Sequence, residues 1–85
     1  MTAAPARTAI LHVQELLDGS WVGNAAWAGR TLSDGASDVQ VVIRRLAARM
    51  AAMTDAGRPD SVRLTRVPRG GEREERDVDI DSLLG

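Results

Sequence analysis

In SDVQVVIRRLAARMAAMTDAGRPDSVRLTRV, residues 37–67, the apolar period changes from 3.6 to 2, which predicts a long helix followed by a strand. Val39, Val42, Ile43, Leu46, Met50 and Met53 fall on one stripe about 100° wide, the buried side of an amphipathic helix. Ser37 followed by Gln40 reads as a capping box at its start. Asp55-Ala56-Gly57-Arg58-Pro59 reads as a glycine C-cap with a proline beyond it. Past Pro59, residues 61–67 alternate apolar and polar side chains, and so do residues 76–81, with Gly70-Gly71 between them. That pattern predicts a β-hairpin. Pairing Val62 with Ile80 and Leu64 with Val78 keeps both apolar sets on one face, and sets Arg63 opposite Asp79 and Thr65 opposite Asp77.

Upstream, Pro5 suits the first turn of a helix and Gly19 its end. Ala6, Ile10, Val13 and Leu17 share one face at helical spacing, so residues 5–18 read as a short N-terminal helix with His12, Glu15 and Asp18 in solvent. From Ser20 to Gly35 the glycines interrupt every regular pattern while Trp21 and Trp27 demand burial. An irregular connection is expected there, with Asn24 capping a short helical turn through Trp27. The fold expected is α+β: short N-terminal helix, irregular Trp-containing connection, long amphipathic helix and C-terminal β-hairpin, in one small domain over residues 1–85.

A chain of 85 residues buries only about two-thirds of the surface it exposes unfolded, so its core is thin. Without cysteine it has no disulfides, and the remaining remedy for a thin core is a partner. A protein partner or a homo-oligomer is therefore expected. No stretch approaches the length of a membrane span, and the N-terminus has no apolar signal region, so a cytoplasmic location is expected. The net charge of −1 is uneven: residues 1–43 sum to −2, residues 44–69 to +5 and residues 70–85 to −4. Two readings follow for Arg44, Arg45, Arg49, Arg58, Arg63, Arg66 and Arg69: pairing with the acidic C-terminal segment, or contact with nucleic-acid phosphates.

Catalytic and metal motifs fail on inspection. Asp77, Asp79 and Asp81 start like a calcium loop, but its sixth position is Ser82 where glycine is needed. The single histidine, His12, has no orienting partner in the pattern, and Gly70-Gly71 is a turn with no phosphate-binding helix after it. No catalytic residue, metal ligand, cofactor or small-molecule substrate is expected. The pair Trp21-Val22-Gly23 and Trp27-Ala28-Gly29 resembles the Trp-x-Gly turn of the WXG100 secretion substrates. That resemblance implies a long antiparallel helical hairpin, a dimer and export by a specialised secretion system. The chain departs from the family's pattern in its short first arm, its lack of tyrosine and the strand-like segment after the long helix.

Three functions are thus expected in turn: a non-enzymatic interaction or assembly subunit of a bacterial or phage-type complex, a nucleic-acid-binding regulator using the arginine block, and a WXG100-like secreted helical protein. For the first, Val41, Arg45, Ala48 and Ala52 form a second row on the long helix, opposite the apolar stripe, where small side chains permit close approach.

Overall fold

The computed structural model describes residues 7–53 and 57–84. The chain runs β1 (Thr8–Glu15), β2 (Trp21–Trp27), β3 (Arg30–Ala36), α1 (Val39–Ala51), β4 (Ser61–Val67), β5 (Glu74–Asp79) and α2 (Ile80–Leu84). The strands form one sheet in the order β3-β2-β1-β4-β5, with β1 and β4 parallel and every other pair antiparallel. Helix α1 lies over β1, β2 and β3, while α2 packs beside α1 and folds back on β5. The core sits between these helices and the sheet.

This mostly β architecture corrects the expected one in its first half. Residues 8–15 are a strand, because the alternation that decides burial is Ala9, Leu11 and Val13, all essentially fully buried. The helical stripe proposed there does not exist: Ile10 is 54% exposed and Leu17 85%, while Pro5 and Ala6 lie outside the described residues. The segment expected to be irregular is a regular hairpin. Trp21, Gly23, Ala25 and Trp27 point inward at every second position, so Asn24 is a mid-strand residue and caps nothing. Its side chain instead accepts a 3.0 Å hydrogen bond from Ser33 Oγ across the β2–β3 pair. Both tryptophans lie on a strand, and the helical hairpin implied by the WXG100 resemblance is not formed.

The two-residue turn between β2 and β3 has positive φ at both positions, 55° at Ala28 and 74° at Gly29. That is the type I′ pattern, whose twist matches the flanking strands. Alanine is strained there and asparagine is not, since its short side chain tolerates the left-handed region. Ala28→Asn should raise stability by about 0.5–1 kcal/mol and Tm by a few degrees in a calorimetric scan; an unchanged or lower Tm would refute the turn geometry.

The α1 cap and the hairpin register are also corrected. The N-cap is Asp38, whose carboxylate accepts the Gln40 N–H at 2.8 Å, and not Ser37. The helix ends at Ala51, several residues before Gly57; Asp55 and Ala56 of the proposed C-cap lie outside the described residues. In the β4–β5 pair the register is shifted by two: Val62 faces Val78, Leu64 faces Arg76, Arg63 faces Asp77 and Thr65 faces Glu75. An even shift keeps each side chain on its own face, so parity alone could not choose between the two. Ile80 chooses. It leaves the strand, starts α2 and is buried in the core, its N–H donating to the Asp60 carbonyl.

Candidate functional site: the uncovered face of the sheet

Side chains alternate across a strand, so among the described residues five strands with helices on one face leave the other face bare. That face carries Thr8, Ile10, His12 and Gln14 from β1, Val22, Asn24 and Ala26 from β2, and Thr31, Ser33 and Gly35 from β3. Ser61, Arg63, Thr65 and Val67 come from β4, and Glu75, Asp77 and Asp79 from β5. At its β2–β3 turn end Ile10, Ala26 and Thr31 line a shallow depression of ≈ 500 Å³. His12, expected in solvent on a helix, is half-buried mid-sheet between Asn24 and Thr65.

Charge divides the face. The outward positions of its β3, β2 and β1 portion carry hydroxyls, amides and one imidazole, and Arg30 lines the depression at the β2–β3 turn. Its β5 edge has three carboxylates against one guanidinium. Arg63 lies 3.1 Å from Asp77 and 3.8 Å from Glu75. The hydrogen bond to Asp77 and then the charges of Asp77 and Glu75 raise its pKa above the ordinary arginine value. With Arg63 so engaged, the β5 side of the face stays acidic.

Both sheet edges are guarded against strand addition. On β5 nearly every residue is charged, which blunts pairing. On β3, Arg49 donates to the Ser33 carbonyl at 2.9 Å and the Asp34 carboxylate accepts the Gly35 N–H at 2.8 Å, so two outward backbone groups are already used. A partner meets the face more readily than an edge.

The residues singled out from the sequence lie elsewhere. Val41, Arg45 and Ala48 are on α1 and Ala52 is the residue that caps its C-terminus; Val41 is half-buried and the other three are exposed. The arginine block is dispersed. Arg45 reaches Asp34 at 3.4 Å, Arg49 the β3 edge, Arg58 pairs with Asp81, and Arg63 pairs on the open face. Arg66 stacks over the Trp21 ring at 5.4 Å on the helical side, and the Arg69 guanidinium donates to the Leu17 carbonyl. Arg44 is exposed on α1. The seven side chains do not form one surface, and among the described residues only Arg58 and Arg63 of the seven form ion pairs with the acidic C-terminal segment.

Among the described residues no three His, Asp or Glu side chains group to hold a metal ion, and no helix is long and apolar enough to cross a membrane. Compared with protein families, curated proteins and solved structures, the chain gives no match, so geometry alone carries the functional reading. The open face escaped the sequence reading because it depends on β1–β3. The alternation Thr8, Ile10, His12, Gln14 against Ala9, Leu11, Val13 was the signal that could have shown it.

Proposed function

We propose that this chain is a non-enzymatic interaction subunit of the cell interior that docks a partner protein on the uncovered face of its sheet. The partner's contact surface has an apolar anchor flanked by arginine or lysine. The observation that carries this is the pairing, on one bare face, of a depression beside the half-exposed Ile10 with an acidic row on β5. Five strands at about 4.8 Å spacing and seven residues at about 3.3 Å give on the order of 500 Å² before side-chain relief, a footprint at the small end of specific interfaces. Nucleic acid fits the β5 side of this face poorly, because its carboxylates repel phosphate. Cysteine-free composition supports an intracellular setting.

The test is capture from extracts of the source cells with single-surface variants. Ile10→Glu places a charge at the anchor position and Asp77→Arg reverses the acidic row. Each should weaken the captured partner's binding by roughly tenfold or more, the size of an interface hot spot, with circular dichroism unchanged. Ala48→Glu with Ala52→Glu, at exposed positions of α1 and its C-cap, should leave binding intact. Loss on the helix variant with retention on both face variants moves the interface to α1 and overturns the reading. So does an empty capture, or steeply salt-dependent binding of duplex DNA.

A further inference from the structure

We propose that a cleft on the helical side of the sheet, between α1 and the β4–β5 pair, binds a single anionic group, a phosphate or a carboxylate. A 13-residue helix and a 5-residue helix cannot roof five strands. Helix α1 lies over β1–β3 and α2 packs at the Val78–Asp79 end of β5, so among the described residues the opposite end of the β4–β5 pair is left open on its inner face. There Gln40, Ile43, Leu64, Arg66, Glu74 and Arg76 enclose ≈ 130 Å³. Ile43 and Leu64 are buried and form an apolar floor; the other four are the polar rim.

Charge in the rim is unbalanced. Arg66 is held by the Trp21 ring and not by a carboxylate, and Arg76 makes no ion pair within 4.0 Å among the described residues. Glu74 lines the same cleft but lies beyond that distance of either guanidinium. Along α1, the sequence Val39–Ala51 contains no acid, and Arg44 follows Gln40 by one turn on the same flank. A guanidinium is planar, weakly hydrated and forked to match two oxygens of one anion, so two of them over an apolar floor make an oxyanion receptor.

Size restricts the ligand to a group. Clefts that enclose whole small molecules run about 300–1,000 Å³, whereas this one holds the space of about four waters. A phosphate or a carboxylate with its nearest water fits. The cleft is on the face opposite the proposed docking surface, so either can hold without the other.

The experiment is a titration of the full chain, read by the Arg66 and Arg76 Nε–H and Gln40 amide resonances. One arm uses inorganic phosphate and the other N-acetyl-aspartate amide, each against chloride at equal ionic strength. Saturable shifts in the phosphate arm alone assign the cleft to phosphate, and in the aspartate arm alone to a partner's carboxylate; saturation in both supports the shared chemistry. Arg76→Gln, a change at an exposed position, should weaken binding about tenfold, the loss of one charge-assisted hydrogen bond. Arg69→Gln, outside the cleft, should leave it unchanged. Shifts that fail to saturate in both arms, or an Arg76→Gln protein that binds like the wild type, overturn the proposal.

Discussion

Gly23→Val should abolish the folded state at room temperature, and Gly23→Ala should lower Tm by about 5–20 °C. Gly23 is in the middle of β2 on the inner face, where side chains of α1 lie against the strand. A Cβ built there would lie 2.6 Å from Val42 Cγ1, 2.7 Å from Leu46 Cδ1 and 3.2 Å from Val13 Cγ1. Val42, Leu46 and Val13 are each fully buried, so each can yield only by moving against other side chains of a close-packed core. Overpacking of this kind costs typically about 1–3 kcal/mol for one added group and more for a branched one. A small core supplies only about 3–5 kcal/mol in total. Strand propensity works the other way, since valine is favoured over glycine in a sheet by about 1 kcal/mol. Destabilisation therefore reports that steric overlap outweighs propensity.

The control is Gly35→Ala, on the open face of β3. Its Cβ would meet the Trp21 carbonyl oxygen at 3.5 Å and Val22 Cγ1 at 3.8 Å, ordinary contact, and its stability should change by no more than about 0.5 kcal/mol. Tryptophan fluorescence during urea unfolding reads both variants, because Trp21 and Trp27 are buried on the inner face. Equal midpoints for Gly23→Ala and Gly35→Ala would mean that α1 does not rest on Gly23.

The same glycine explains why half the fold was legible from sequence and half was not. The α1 stripe is long, apolar and free of glycine, so its period stands out. Residues Val39, Val42, Ile43, Leu46 and Met50 are buried as that period requires. In β2 the inward positions are Trp21, Gly23, Ala25 and Trp27, and the two middle ones are small because the helix lies directly over them. Close packing thus removed the large side chains whose alternation would have marked a strand, and the glycines read as breaks. In β1 a different coincidence acted: Ile10 on the open face and Val13 on the core face are three residues apart, which mimics a helix turn. The bare face of the sheet could not be inferred once β1–β3 were misread. The row on α1 and the arginine block were readable as patterns, but which surface each occupies depended on the strands beside them.

Leu46→Ala should cost about 2–5 kcal/mol, enough to bring the domain to the edge of unfolding. Leu46 is fully buried at the centre of α1, with its Cδ1 directly above Gly23, so truncation leaves a cavity that neither the sheet backbone nor the neighbouring Val42 can fill by small shifts. A cavity over a glycine has a specific remedy. In the Leu46→Ala background the methyl of Gly23→Ala meets no Cδ1, and its overlap is reduced to Val42 Cγ1 and Val13 Cγ1. The double variant should then be more stable than the sum of the two single changes by about 0.5–3 kcal/mol, the range for side chains in direct contact. A TMAO series keeps the weaker variants folded long enough to place all four members of the cycle on one scale. Additivity within about 0.5 kcal/mol would show that the two positions do not share space, and would remove the close contact between α1 and β2 on which this packing rests.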